Sequence, residues 1–366
     1  MRVAGHAYPW DVLGDPAFVD RVLAHGLSTV VLAAAYHSVR AATPLHPEHQ
    51  LVDASHAALY RPVRESVWAG RRLRPAPPSW VSTSDSFGTA AAVLRGAGVT
   101  VSAWVVLTHN TRLGTEFPDV AVVNCFGDRY PYALCPSWPE VRSYAATLAA
   151  EAARDADAVS LEACGQLGLT HGSHHEKTDD AWSPDAARWL SVCCCGACRA
   201  RWSSPSSVVA ALRAAVHSGA PVPFAEELLA TRHESTDLLR AEVLAGLDVP
   251  VTLHAHPDPW ATGASPGLTP TAANDVAALL VPAWPVTPAS ASVVSAATAT
   301  GRPVDAYVTV LPPATDLPAH VARLTAAGAT GFSIYHLGLA PQWRQSSIAG
   351  IVGGPCDAAE HVEHRH

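Results

Sequence analysis

The chain has very little lysine and little charge of either sign. Only one of its 24 basic residues, Lys177, is a lysine, and charged residues make up 15% of the 366 positions. The 32 acidic side chains outnumber the basic ones and leave a formal net charge of −8. A sparse, net-acidic surface does not attract nucleic acid or an anionic membrane, so we expect neither as a partner.

Targeting and membrane signals are missing as well. The first residues read MRVAGHAYPW and lack the basic region followed by an apolar stretch that marks a signal peptide. No apolar run reaches the ~18 residues of a membrane-spanning helix. We therefore expect a cytoplasmic protein, in which the eight cysteines are metal ligands or buried thiols rather than disulfides.

No glycine-rich phosphate loop follows the first predicted strand, which argues against a dinucleotide-binding fold. The sequence instead alternates strand-length apolar runs with segments of helical period, as parallel strands with crossover helices do. The predicted strands are residues 2–7, 29–35, 99–107, 158–162, 250–255, 278–282, 304–311 and 331–335. The predicted helices are residues 16–25, 86–96, 139–154, 205–217, 224–245, 271–278, 289–301 and 317–328, with a last one starting near Gln342.

Eight such units in order predict an α/β protein with a (β/α)8 TIM-barrel fold, which needs about 250 residues before insertions. We expect one barrel domain over residues 1–350 and a C-terminal tail at 351–366. A long insertion follows strand four, at residues 163–204. A short strand is predicted near residues 64–68, and the segment NCFGDRYPYALCP after strand three is predicted to be a loop.

The chemistry of such barrels lies where strands end and the following loops begin. Five of the eight predicted strand ends carry a histidine. One histidine in such a place often only satisfies a backbone hydrogen bond, but that explanation fits a whole ring of them less well. The strand-end residues predicted to bind substrate are His6, Trp10, His37, His109, Asn110, His254, His256, Trp260, Trp284, Tyr335 and His336.

The tryptophans at three of these ends are predicted to be platforms for the substrate. Trp10, Trp260 and Trp284 each follow a strand, and flat aromatic faces there commonly stack on sugar rings. Packing in the core is the alternative for each of them.

Glu162 is the strongest catalytic candidate. It ends the apolar run AVSL of strand four, where a carboxylate costs several kcal/mol unless it is paired or functional. A structural ion pair in the barrel mouth is the other interpretation.

The insertion after strand four begins with the polar segment THGSHHEK. We expect it to lie over the barrel mouth and to hold a polyhydroxylated or anionic substrate. An exposed polar loop and a catalytic metal site remain as alternatives, although HxxHH lacks the helical i, i+4 spacing of a zinc-protease motif. The candidate binding residues are His171, His174, His175 and Lys177, and Glu176 is a candidate catalytic group.

The insertion also holds the pattern C-x-C-x-x-C, formed by Cys193, Cys195 and Cys198. Thiolates at this spacing can surround one tetrahedral Zn²⁺, which needs a fourth ligand. We predict Cys135 for that place, with Cys125 and Cys164 as competitors.

At these residues the chain resembles the family 42 β-galactosidases and related clan-A glycoside hydrolases. The order of Cys135-Pro136, Glu162 and then C-x-C-x-x-C is similar to theirs over a segment from about Cys135 to Arg199. The resemblance implies a structural zinc beside the active site and Glu162 as the proton donor. Within it, the chain is identified as a member of an uncharacterised, glycosidase-like branch.

Two departures from that family bear on the mechanism. Its members have Asn-Glu after strand four, where this chain has Leu161-Glu162. They also place a nucleophilic Glu at the end of strand seven, where this chain has only Asp305, near the beginning of the strand. The two carboxylates of a retaining enzyme are therefore not evident in the sequence.

Three functions remain as hypotheses. The first is hydrolysis of a small glycoside with Glu162 as general acid and either Glu176 or Asp258 as base. The second is a metal-dependent lyase, isomerase or hydrolase that acts on a sugar-like or cyclitol substrate and holds its metal with the strand-end histidines. The third is a non-catalytic carbohydrate-binding barrel, which the density of ionisable groups disfavours. The sequence leaves the oligomeric state open, a homo-oligomer included.

Overall fold

Eight parallel strands pair in chain order and close into a ring in the computed structural model, which describes residues 1–170, 177–178, 181–311 and 315–352. The first strand pairs with both the second and the eighth, which closes the barrel. This confirms the predicted (β/α)8 fold. The strands are β1 (Arg2–Ala7), β2 (Thr29–Tyr36), β3 (Thr100–Val106), β4 (Ala158–Glu162), β5 (Val251–His254), β6 (Ala278–Pro282), β7 (Val304–Thr309) and β8 (Gly331–Tyr335).

The strands form because their sequences suit a sheet that is covered on both faces. In β2, TVVLAAAY, seven of the eight residues are buried. Such near-continuous apolar runs are typical of parallel strands packed between a barrel interior and surrounding helices. Parallel register places Val106 beside Glu162, so both lie at the carboxyl-terminal edge of the barrel.

Helices surround the barrel, and several of the longer ones begin with a Pro in the first turn, where its missing N–H costs nothing. Within the described ranges, no helix combines the length and the apolar character needed to cross a membrane. The helices are α1 (Pro9–Gly14), α2 (Phe18–Ala24), α3 (Glu65–Trp68), α4 (Ser86–Gly96), α5 (Thr111–Glu116), α6 (Pro139–Ala152), α7 (Pro184–Leu190), α8 (Gly196–Arg199), α9 (Pro205–Ser218), α10 (Ala225–Leu244), α11 (Pro288–Thr298), α12 (Leu317–Ala326) and α13 (Gln345–Val352).

Short elements fill the connections between the main ones. A hairpin and a two-residue strand lie between β2 and α3, and a second hairpin lies between α5 and α6. They are Val39–Ala42 with Leu51–Ala54, Ala58–Leu59, which pairs antiparallel with β2, and Ala121–Val123 with Arg129–Leu134. Three 3₁₀ turns are Pro118–Val120, Ala272–Asn274 and Gln342–Arg344.

Three predicted segments differ from the structure, and the first two were predicted as a strand and a helix. The segment predicted as a strand near residues 64–68 is helix α3, whose Trp68 is fully buried against Tyr144 of α6. The helix predicted at residues 271–278 is only a 3₁₀ turn. The chain leaves a helical path early because the N–H of Ala277 donates to the carbonyl of Val251 in β5, which begins the strand pairing.

The segment predicted as a loop after strand three forms the hairpin Ala121–Val123 with Arg129–Leu134. Asn124 shapes its turn, because its side-chain oxygen accepts the backbone N–H groups of Phe126 and Asp128. Gly127 completes the turn at φ +95°, a conformation that favours glycine. The returning strand of the hairpin ends beside Cys135.

The burial of Trp68 provides a test of this core. Replacing Trp68, which is 0% exposed, with Ala should lower the free energy of unfolding by about 3–5 kcal/mol, because it removes a large buried side chain and leaves a cavity. The same replacement at Trp343, which is 64% exposed, should cost less than about 0.5 kcal/mol. Urea unfolding monitored by circular dichroism gives both values. Equal losses in the two variants would contradict the packing described here.

Candidate active site

Trp104 of β3 lies at the centre of a buried group of side chains at the carboxyl-terminal mouth of the barrel. Its indole ring contacts the rings of five neighbours, at centroid distances of 4.4 Å to His6, 4.5 Å to Tyr36, 6.1 Å to both Tyr8 and His336, and 6.5 Å to His254. We call this group, together with Glu162 and Tyr307, the mouth cluster.

Glu162 is held in the mouth cluster by a single strong contact. The indole N–H of Trp104 donates to its Oε2 at 2.8 Å, and the residue is only 5% exposed. Burial raises the pKa of Glu162 to about 8, and the hydrogen bond from Trp104 opposes part of that rise. The carboxyl group is therefore mostly protonated at neutral pH.

One histidine borders this carboxyl group, and a second packs on the indole of Trp104. His254 at the end of β5 places Nδ1 3.8 Å from Oε2 of Glu162, and its Nε2 lies 2.9 Å from the hydroxyl of Ser160. His6 at the end of β1 places Nδ1 3.3 Å from the hydroxyl of Tyr307. Burial lowers the pKa of His254 to about 3 and that of His6 well below its usual value. Both imidazoles are therefore neutral.

A second carboxyl group lies near the same mouth, next to His336. Nδ1 of His336 is 3.7 Å from Oδ2 of Asp11, and its ring stacks on Tyr8 at 4.2 Å. Asp11 also accepts the backbone N–H of Tyr8 at 2.8 Å. Gly338 leaves room for this carboxylate, since a Cβ at that glycine would lie 2.1 Å from Cγ of Asp11.

An aromatic wall extends from the mouth cluster toward solvent. Trp284, after β6, stacks on Tyr335 at 4.6 Å and contacts Tyr307 at 5.5 Å. Trp284 is 40% exposed, whereas Tyr307 is buried. The wall therefore leads from the exposed indole of Trp284 to the buried hydroxyl of Tyr307, which His6 contacts.

The structure does not give the other two tryptophans the same position. Trp10 is buried, stacks on Tyr8 at 4.3 Å and so packs in the core. Trp260 is half-buried and meets Trp189 of α7 edge to face at 5.4 Å. Trp10 thus meets the mouth cluster only from behind, through Tyr8, and the described ring contacts of Trp260 include no member of it.

Asn110 has a structural position. Its side-chain oxygen caps α5 by accepting the N–H of Leu113, and its Nδ2 donates to the hydroxyl of Tyr144. His37 and His109 stack on each other at 4.2 Å, beside Tyr36. These two histidines are half-buried and form a side of the mouth, while Asn110 lies below it with its hydrogen-bonding groups already used.

The residues after β5 turn away from the cluster. Nδ1 of His256 accepts the N–H of Asp258, and Oδ1 of Asp258 accepts the N–H of Trp260. Asp258 is exposed. The structure thus uses this carboxylate in a local turn and does not bring it to Glu162.

The polar segment after β4 is only partly described. His171, His174, His175 and Glu176 lie outside the described residues, and Lys177 is exposed. Asp305 of β7 lies at the opposite, amino-terminal end of the barrel, where both of its oxygens accept from Arg2 at the start of β1. It is therefore remote from Glu162, as its place in the sequence indicates.

Four cysteines meet beside the barrel. The Sγ atoms of Cys135, Cys193, Cys195 and Cys198 lie within 4.8 Å of one another, and all four residues are buried. Cys135 Sγ is 3.6 Å from that of Cys198 and 3.7 Å from that of Cys195. Four thiolates about 2.3 Å from one tetrahedral zinc would be about 3.8 Å apart, so the spacing fits a metal ion of that size. The competitors Cys125 and Cys164 are buried elsewhere.

The predicted site residues do not include Trp104, Tyr307 or Asp11. The first two lie inside apolar strands, and a signal was available there. Side chains alternate along a strand, so polar or aromatic residues at i and i+2 mark the face that points into the barrel. Ser160 with Glu162 and Asp305 with Tyr307 follow that spacing. Asp11 carries no such signal, because it lies in a loop helix.

No family model matches the sequence, and none of the curated proteins does. Solved structures do match. The fold is similar to the catalytic domain of a β-amylase from Paenibacillus polymyxa, with a TM-score of 0.59 and 12% identity over 96% of this chain and 97% of that one. It is also similar to α-L-fucosidase isoenzyme 2 from Paenibacillus thiaminolyticus, with a TM-score of 0.56 and 13% identity over 96% of this chain and 49% of that one.

A GH42 β-galactosidase from G. stearothermophilus matches with a TM-score of 0.53 and 11% identity, over 96% of this chain and 56% of that one. The barrel is similar to those of glycoside hydrolases. This chain spans only about half the length of the fucosidase and of the galactosidase, and at these identities the likeness establishes the fold. Function has to be argued from the site.

The raised pKa of Glu162 makes stability depend on pH. Between pH 4.5 and about 8 the unfolded chain loses the proton that the folded chain keeps, so stability falls as pH rises. Glu162→Gln keeps a neutral group and should be as stable as wild type near pH 4.5. At pH 8 it should be more stable by a few kcal/mol, at about 1.4 kcal/mol per pKa unit.

Urea unfolding at a series of pH values measures this difference. The matched control is Glu151→Gln, which removes a buried carboxylate that is paired with Arg64 and should lose stability at pH 8. A Glu162→Gln variant that is less stable than wild type at pH 8 would contradict the assignment of a protonated carboxyl group.

Proposed function

We propose that this protein is a glycoside hydrolase that acts on a small glycoside, with Glu162 as the general acid. The proposal rests on one observation above all, the buried carboxyl group of Glu162 at a strand end of the barrel mouth. A general acid must carry a proton at the working pH and release it as the bond breaks. A pKa of about 8, caused by burial, meets that requirement at neutral pH.

The surroundings of Glu162 suit a neutral sugar. His6 and His254 are uncharged. A neutral imidazole has one nitrogen that donates a hydrogen bond to a hydroxyl group and one that accepts a hydrogen bond from it. Trp284 offers an exposed face with Tyr335 behind it, which suits stacking on the apolar face of a pyranose. We therefore place the sugar between Trp284 and Glu162, with the half-buried His37 and His109 along one side of the entrance.

The metal-dependent alternative receives less support. Among the described residues, the only group of three or more potential ligands that converges is the cysteine cluster. The strand-end histidines of the mouth cluster pack against aromatic rings and against one another, as His6 does on Trp104. That packing supports a hydrogen-bonding role better than a catalytic metal.

We propose that the cysteine cluster holds a structural Zn²⁺. The four buried thiols have the spacing of a closed tetrahedral site, with no side left open for substrate. When bound, the ion would tie Cys135, just before α6, to three cysteines of the insertion after β4. It would thus fix the insertion beside the mouth and take no part in the chemistry.

The role of Glu162 can be tested with leaving groups of different quality. On an alkyl glycoside, Glu162→Gln should lower kcat about 10²–10⁴-fold, because the leaving oxygen no longer receives a proton. On a dinitrophenyl glycoside, whose leaving group needs no proton, the loss should be small. A panel of galactosides, fucosides and glucosides of both kinds supplies the substrates. Glu116→Gln, an exposed surface change, is the matched control and should keep wild-type rates. Equal rates for Glu162→Gln and wild type on the alkyl glycoside would remove Glu162 from the mechanism.

Metal content tests the cysteine cluster. Purified wild-type protein should carry one zinc per chain by mass spectrometry, and Cys195→Ser should carry none. Cys125→Ser changes a buried cysteine outside the cluster and should keep its zinc. Metal that persists in Cys195→Ser would place the ion elsewhere and would favour a histidine site.

A further inference from the structure

His336 has hydrogen-bonding capacity that the fold does not use. It is 0% exposed, and neither of its ring nitrogens has a hydrogen-bond partner among the described residues. An unsatisfied buried polar group costs about 1–3 kcal/mol, so a native protein retains one chiefly where it serves a ligand or a reaction. The residue directly follows β8 and borders Trp104, the same indole that holds Glu162.

The two ring nitrogens of His336 have different surroundings. Nδ1 faces Oδ2 of Asp11 at 3.7 Å, while Nε2 has no such neighbour. An ionised Asp11 favours the tautomer that carries its proton on Nδ1 and leaves the lone pair of Nε2 free. His336 would then be a base whose orientation and tautomer Asp11 sets.

The other charged or titratable neighbours of the pair lie on several elements, and one of them, His46, lines the same small cavity as Asp11. His336 packs against Tyr8 and Tyr335, and His6 is close enough to affect it electrostatically. Asp15 and Arg21 lie near Asp11 and form an ion pair with each other. Burial raises the pKa of Asp11 to about 7, with Asp15 adding to the rise and the hydrogen bond from Tyr8 and the charge of Arg21 opposing it. Burial lowers the pKa of His336 to about 3.

We propose that His336 is the catalytic base of the hydrolysis and that Asp11 is its positioning residue. This inference rests on the proposed function and supplies the second group that the sequence does not show. Nε2 of His336 takes a proton from a water molecule as the water oxygen attacks the anomeric carbon. The glycosidic C–O bond breaks, and the leaving oxygen takes the proton of Glu162.

The step balances, and the buried charge it creates has a partner. Hydrolysis leaves Glu162 ionised and His336 as an imidazolium next to the Asp11 carboxylate, and exchange with solvent restores both after the products leave. An isolated imidazolium would be costly in this buried place, and the carboxylate 3.7 Å away offsets that cost. Direct attack by water inverts the configuration at the anomeric carbon.

The pairing of His336 with Asp11 can be tested without any substrate. Nitrogen NMR of the histidine rings in the full-length protein should give the Nδ1–H tautomer for His336 above pH 7. Asp11→Asn, which keeps an oxygen that can accept the N–H of Tyr8, should shift that tautomer balance. The matched control is Asp15→Asn, because Asp15 is also buried and pairs with Arg21. An Nε2–H tautomer in the wild type, or identical spectra in all three proteins, would overturn the pairing.

Kinetics on dinitrophenyl glycosides tests the base. These substrates do not need Glu162, so a loss in His336→Ala reports on the attack of water alone. We expect kcat to fall about 10²–10⁴-fold, with KM little changed and with partial recovery on addition of imidazole. The wild-type pH profile should rise near pH 7 as Asp11 ionises. Asp11→Asn should lose that rising limb, and Asp15→Asn should keep it.

The outcomes separate this inference from the proposed function. A wild type that hydrolyses no member of the panel overturns the proposed function and the base role together. An active wild type whose first product has retained configuration by proton NMR overturns the base role alone. Full activity in His336→Ala also overturns the base role alone. So does a loss of activity in His336→Ala that imidazole does not partly restore, if Asp11→Asn also keeps the rising limb of the pH profile.

Discussion

The hydrogen bond from the indole of Trp104 to Glu162 is the interaction around which the mouth of this barrel is organised. It joins β3 to β4 in the buried part of the mouth and fixes the direction of a carboxyl group that burial keeps protonated. The same indole is the surface against which His6, Tyr36 and His336 pack. Trp104 thereby orients Glu162, the proposed acid. It also supports His6, Tyr36 and the proposed base His336.

Much of the architecture was accessible from the sequence, because strands buried on both faces read as apolar runs. Glu162 stood out for the same reason, as a charged residue that ends such a run. The fourth cysteine, Cys135, lies 58 positions before Cys193, and no periodicity connects them. The sequence offers Cys125 and Cys164 as competitors for its place, and the structure brings the sulfur of Cys135 to the other three. Distant residues of this kind meet only through the topology of the barrel.

Other features were not accessible because tertiary contacts decide them. Asn110 follows a strand as a substrate ligand would, yet it caps a helix, and Trp10 follows a strand yet packs on Tyr8. The segment at 271–278 has a composition that allows a helix, but Ala277 near its end already pairs with Val251 of β5. Asp11 belongs to no predicted element, because it lies in the short helix α1 that follows β1. Its place beside His336 depends on the closure of β1 against β8 and on Gly338, whose lack of a side chain leaves room for the carboxylate.

The neutrality of the mouth cluster has a consequence for how ligands are chosen. At pH 7 its carboxyl group carries a proton and its imidazoles carry none, so the cluster presents dipoles and aromatic faces in place of fixed charges. Approach to such a site gains nothing from long-range Coulomb attraction and changes little with ionic strength. Discrimination between sugars would then depend on the fit of each hydroxyl group. A sugar hydroxyl that is buried here without a hydrogen-bond partner loses its hydration and gains nothing in return.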